Sequence, residues 1–225
     1  MIGKLSLKER YVLFALDDEY GYIITNNTAY WIGLAGTVLF EMIKEGLLSI
    51  ENDILKAHCI DSEVPCYKKV LTVLEKSKNP PKVESVLLDL WNFKQEIQQE
   101  IIEMLVLKGV LKEVKKTRFW FIKFNRYPTI NHIPEKGLRK YLLLLIKKNR
   151  LLSTENYLLL RMIDQCDLII EVFGKENKTT VLHYLETVQE ISEPSDELFE
   201  TIKTLETALL SAIENKNLHL ILEDG

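Results

Sequence analysis

Six residues near the middle of the chain, Phe119-Trp120-Phe121-Ile122-Lys123-Phe124, limit its folding most, because five of the six are apolar and the run lies among cations. Between Lys112 and Arg150 there are twelve basic residues and two acidic ones, Glu113 and Glu135, a net of +10. The whole chain carries −4, so everything outside this segment sums to −14. The run is too apolar for an ordinary exposed hairpin. In a strand, one alternating face (Phe119 and Phe121, or Trp120, Ile122 and Phe124) would be buried. Outward aromatics beside cations are what an anionic membrane surface requires.

Elsewhere the pattern is helical. Leu, Ile, Glu and Lys dominate, and only 9 Gly and 6 Pro leave little room for long loops or many strands. Ser6, with Glu9 three residues on, predicts a capped helix beginning near Leu5. Tyr22-Ile23-Ile24 reads as a short strand, and Trp31 to Lys44 as a helix whose Gly33, Ala35 and Gly36 imply close packing. Gly46 ends that helix ahead of a strand from Leu47 to Glu51. Val64 to Lys76 is amphipathic, and Asn79-Pro80-Pro81 admits a subdomain break. Val83 to Leu107 reads as two helical pieces capped by Gly109. Val110 to Val114 and Phe119 to Phe124 are expected to pair as a hairpin across Lys115 to Arg118. A helix–Gly–strand unit thus occurs twice, too few copies for a solenoid. Glu135 to Lys147, Ser153 to Phe173, Thr179 to Ile191 and Ser195 to Glu214 complete a helical C-terminal half. The expected fold is mainly α, a single helical domain over residues 1–225 with short strands and a protruding hydrophobic β-hairpin.

No run approaches the roughly 20 uncharged residues of a spanning helix. Lys8, Glu9 and Arg10 interrupt any signal-peptide core, and three irregularly spaced cysteines fit a reducing compartment, so a cytosolic location is expected. Signals for chemistry are sparse. His58, Cys59 and Cys66 could ligate a metal, but they have no C-x-x-C pair and no nearby fourth partner; neither a metal nor a cofactor is expected. The nucleotide-binding glycine patterns and the H-E-x-x-H pattern do not occur, and no catalytic pair can be nominated from spacing. The reading is non-enzymatic.

The basic segment admits a plain solvated face, a nucleic-acid surface or a membrane surface. A winged-helix DNA regulator would need a basic helix before the hairpin, but Trp91 to Leu107 sets Lys94 against Glu96, Glu100 and Glu103. A membrane surface accounts for both the charge and the aromatics. On that reading Phe119, Trp120, Phe121 and Ile122 insert. Lys115, Lys116, Arg118, Lys123 and Arg126 surround them, with Arg139 and Lys140 on the same side. A homo-oligomer that buries the hairpin is the alternative within the same fold.

The residues also carry a resemblance. The opening Leu5-x-Leu7-x-Glu9, with Leu13, Leu16, Asp18, Gly21 and Tyr22, resembles the start of the Golgi phosphoprotein 3 family of peripheral membrane proteins. Gly33-Leu34-x-Gly36 through Glu41 to Glu51, Leu105-Val106-x-Lys108-Gly109-Val110-Leu111, and Asp167 to Phe173 are similar to later family segments in the same order. The resemblance implies a helical domain with a protruding hydrophobic hairpin, binding to phosphatidylinositol 4-phosphate, in eukaryotes retention of Golgi enzymes, and no reaction. The family's phosphate-binding Trp and Arg positions, aligned without gaps, fall on Asn26, Ala35, Gln95 and Gln98; Trp31 meets the Trp position only in a shifted register. The family's basic N-terminal arm has no counterpart before Leu5, so a minimal, prokaryotic-type member without arm-mediated coat or glycosyltransferase binding is expected.

Overall fold

The computed structural model describes residues 5–25, 27–118, 122–191 and 197–223, and the fold is mainly helical. Its centre is α1 (Leu7–Phe14), all of whose residues are buried, including Lys8, Glu9 and Arg10. Three successive charges cannot be buried unpaired, and each is met by a different part of the chain. Lys8 pairs with Glu41 of α2 (Thr28–Lys44). Glu9 pairs with Lys108 at 2.6 Å, just past α5 (Lys94–Leu107). Arg10 pairs with Glu155 and donates to Asn156 Oδ1 at 2.9 Å, both on α7 (Thr154–Gln165). The Ser6 N–H donates to Glu9 Oε2 at 2.8 Å, as the helix-start pattern predicts.

Helix α2 is almost wholly buried, and its small residues explain how. A Cβ on Gly33 would lie 2.4 Å from the Tyr11 hydroxyl, and one on Gly36 2.7 Å from Leu209 of α10 (Glu197–Glu223). After α2, β1 (Leu48–Glu51) pairs antiparallel with β2 (Ile54–Ala57), a strand the sequence reading lacked. Asn52 and Asp53 turn the chain with positive φ, which both tolerate. Then come α3 (Pro65–Lys76), α4 (Val83–Leu90) and a short 3₁₀ turn (Trp91–Phe93) before α5. Hydrophobic residues on both sides of Asn79-Pro80-Pro81 belong to one cluster.

The second hairpin corrects the expected register. Its strands are β3 (Val114–Arg118) and β4 (Ile122–Arg126), with Val114 opposite Arg126 and Arg118 opposite Ile122. Lys115 to Arg118 are therefore strand, not turn. The displacement has a cause in the core: Val110 and Leu111 are fully buried, and Ile130 N–H donates to Val110 O at 2.9 Å. They close the base, and pairing starts beyond them. Residues 119–121 lie outside the described residues, as do the side chains of Arg118, Ile122 and Lys123.

The helix expected from Ser153 to Phe173 is two: α7, then α8 (Ile169–Phe173), with α6 (Ile133–Lys147) before them. Asp167, at φ +59°, breaks the run, and Leu168 N–H bonds back to Ile163 O at 3.0 Å. Helix α9 (Lys178–Ile191) follows. The last helix, read as ending at Glu214, continues to Glu223; Ser195 lies outside the described residues.

Candidate functional site

Among the described residues the strands of the β3–β4 hairpin pair with each other and with no third strand, and Lys115, Lys116 and Thr117 are exposed. Four residue steps separate its first and last pairs, about 13 Å of two-stranded ribbon. Its foot is fixed by the loop after α1. Tyr127 N–H donates to Gly21 O at 2.9 Å. Thr129 donates from its N–H to Asp18 O at 3.0 Å and from its hydroxyl to Asp18 Oδ1 at 2.9 Å. Gly21 has φ +65°, and a Cβ there would lie 2.2 Å from Pro128 N, so only glycine fits. On the other side the Tyr127 hydroxyl bonds Gln99 of α5 at 3.3 Å.

Aromatic groups collect beside this foot. The Arg126 guanidinium lies 5.0 Å from the rings of both Tyr22 and Phe124, and Tyr20 pairs with Tyr22 at 6.4 Å. Tyr20 and Tyr22 are largely exposed. From sequence, Tyr22 is expected in a short strand and Tyr20 in the turn that ends at Gly21, and neither position signals this aromatic cluster.

Of the expected lipid-facing cations, Lys115, Lys116 and Lys140 are exposed and Arg126 is half-buried between rings. Arg118 and Lys123 are placed by backbone alone. Arg139 is elsewhere: it donates to Glu171 O at 2.8 Å and Val172 O at 3.1 Å, pairs with buried Glu135, and lies 5.4 Å from the Phe14 ring. Burial pushes the Glu135 carboxyl up to about 7; Arg139 opposes the rise and neighbouring Asp18 adds to it.

One turn of α5 from Gln99, Gln95 lines an open cavity of about 560 Å³ together with Trp31, Trp91, Lys94, Asp167 and Asn217. Lys94 of this wall and Lys216 of α10 both lie near the Trp91 indole, with Nζ 4.1 Å and 5.0 Å from the ring. Desolvation first, and then the Lys216 charge, hold the Lys94 ammonium below its usual range. Of the positions the resemblance implies for phosphate, Gln95 is in this wall, Gln98 accepts from the Tyr30 hydroxyl at 2.9 Å, and Ala35 is buried. Asn26 lies outside the described residues.

The family model described as Golgi phosphoprotein 3 (GPP34) matches residues 7–205. The chain belongs to that family. No curated protein matches it. Within the Golgi phosphoprotein 3 frame, Asp18 and Gly21, two residues that carry the resemblance, are those that clamp the hairpin's foot. Among the described residues no helix is long and apolar enough to cross a membrane, and no three His, Cys, Asp or Glu side chains are grouped to hold a metal. His58 instead bonds Ser49 Oγ at 2.8 Å, and Cys66 is buried.

Proposed function

We propose that the chain is a binding protein, not a catalyst, that docks reversibly on the cytosolic face of anionic membranes through the β3–β4 hairpin. The observation that carries the reading is the hairpin's isolation. A ribbon with exposed Lys115 and Lys116 leaves the core, and covalent connectivity puts Phe119, Trp120 and Phe121 between Arg118 and Ile122 at its far pair. Each cation near an anionic bilayer contributes about 1 kcal/mol. Five such cations (Lys115, Lys116, Arg118, Lys123 and Arg126) give about 5 kcal/mol, which is sub-millimolar binding. One or two inserted rings add roughly 1.5–3 kcal/mol each, which brings attachment into the micromolar range or below. Charge brings the chain to the surface, and insertion keeps it there.

The Trp91 cavity supports a phosphorylated headgroup as the ligand. Desolvation and nearby Lys216 disfavour the Lys94 ammonium in this wall, a phosphate beside it relieves both, and phosphatidylinositol 4-phosphate is the lipid the resemblance implies. Asp167 in the same wall favours a monoester over a more highly charged group.

Vesicle flotation tests the reading. Binding is expected to phosphatidylcholine vesicles containing phosphatidylserine or the phosphoinositide and not to phosphatidylcholine alone, with loss on Trp120→Ala plus Lys116→Glu. Equal flotation of that variant would remove the hairpin from the account. A mass change on Trp120→Ala in light scattering would make the hairpin a self-association element instead.

A further inference from the structure

Helix α6 begins after the six-residue connection that follows β4, and its outward side has an unusual composition. At about 100° per residue, Ile133, Lys136, Gly137, Lys140, Tyr141, Leu144, Lys147 and Lys148 fall within one arc of roughly 140°, and all eight are exposed. Ile133 is 75% exposed, Tyr141 51% and Leu144 50%. The helix's one acid, Glu135, is on the opposite arc, buried against Arg139. Leu142 and Ile146 on that arc are buried in the core, so the helix is already packed on its inner side and its outer side is free to meet something else.

Ordinary solvated helix faces intersperse both signs of charge and few large apolar groups. This one carries four lysines, three large apolar side chains and no carboxylate. That mixture fits a bilayer interface, where lysine stems lie along apolar surface while their ammonium groups reach the headgroups, and tyrosine belongs at the same depth. A protein partner would need a matching acidic and apolar patch; the uniform sign of the cations fits a continuous anionic sheet.

We infer that the outer face of α6 is a second membrane-contacting surface, with Ile133, Tyr141 and Leu144 entering the headgroup layer of an anionic bilayer and Lys136, Lys140, Lys147 and Lys148 pairing with its acidic groups. The inference rests on the membrane-docking reading above and extends it from one ribbon to two elements.

The test is flotation of the full chain with phosphatidylcholine vesicles with and without phosphatidylserine, comparing three variants with the parent. They are Lys136→Glu plus Lys140→Glu, Tyr141→Asp plus Leu144→Asp, and the hairpin variant Trp120→Ala plus Lys116→Glu. Each cation changes partitioning by about fivefold, so the lysine pair is expected to weaken binding to phosphatidylserine vesicles by tenfold or more. The apolar pair is expected to do the same, with unfolding midpoint and light-scattering mass unchanged. If both α6 variants float like the parent while the hairpin variant does not, the α6 inference is overturned and the docking reading stands. If the parent itself fails to float, both fall. A mass change confined to the Tyr141 and Leu144 variant makes the face a contact between copies and also overturns the inference.

Discussion

Replacing Glu135 by Gln tests the electrostatics under the hairpin most directly. The Glu135 side chain is 1% exposed, with one oxygen on Arg139 and the Asp18 carboxylate as its acidic neighbour. Burial opposes ionisation, Arg139 favours it, and Asp18 opposes it again; the balance raises the carboxyl from 4.5 to about 7. In the unfolded chain the group ionises near 4.5, so between these values the folded state binds more proton than the unfolded state. Stability therefore falls as pH rises through the window. It falls by about 2 to 3 kcal/mol between pH 5 and pH 8, a substantial part of the 5–15 kcal/mol typical of a domain. Gln keeps an acceptor for Arg139 and cannot ionise. Urea unfolding of parent and variant across this range isolates Glu135 with its coupled neighbour Asp18, because titrations elsewhere cancel in the difference. The parent is expected to be the more stable at pH 5 relative to its own pH 8 value, by that amount in excess of the variant. A flat difference curve would refute the burial argument. A curve of opposite slope would show that the Arg139 pair outweighs desolvation.

Other substitutions probe separate parts of the structure. Gly21→Ala forces a left-handed residue against the backbone at Pro128 and is expected to cost roughly 2 kcal/mol or more, with faster amide exchange at Tyr127 and Thr129; an unchanged urea midpoint would contradict it. Lys8→Ala leaves Glu41 buried without its ammonium and is expected to cost about 3–5 kcal/mol, while Lys8→Met combined with Glu41→Gln recovers most of it; a neutral single variant would sink this reading. Thr129→Val removes the hydroxyl donor to Asp18 for about 1 kcal/mol, measured by thermal unfolding. A soluble inositol phosphate titrated against tryptophan fluorescence is expected to saturate with the parent and not with Lys94→Gln plus Lys216→Gln; an equal response from both would remove the cavity from the phosphate reading.

The helices were legible because their signals are local. Ser6 and Glu9, the glycines at 33 and 36, and a Val83 to Leu107 stretch in two helical pieces are read from residues close in sequence, and the structure has them, with the break at Trp91–Phe93. What escaped depends on partners far along the chain. The last helix continues past Glu214 through polar residues because Asn215 reaches Glu84 at 2.5 Å and Asn217 lines the Trp91 cavity. Asp167 ends α7 without a glycine because aspartate tolerates left-handed backbone. The hairpin's register slipped for a related reason. With both faces of β3 solvated, no alternation marks the strand, and the deciding residues, Val110 and Leu111, act from below by anchoring in the core.

The candidate site was legible in its charge and not in its support. The proposed attachment of about 5 kcal/mol or more would hold the protein only if the ribbon's foot did not give way first. The foot is built from residues remote in sequence: Asp18 and Gly21 grip Thr129 and Tyr127, and Gln99 bonds the tyrosine from α5. None of these is a cation or lies in the aromatic run, so a search for the docking surface passes over them. They give a structural reason for Asp18 and Gly21, two of the residues that carry the resemblance. Gly21 is demanded by backbone closeness, and Asp18 binds the same residue through both its carbonyl and its carboxylate. The resemblance at the start of the chain and the hairpin in its middle are thus two halves of one structural unit. On the docking proposal, Gly21→Ala is expected to weaken vesicle flotation without altering any of the residues proposed to face lipid.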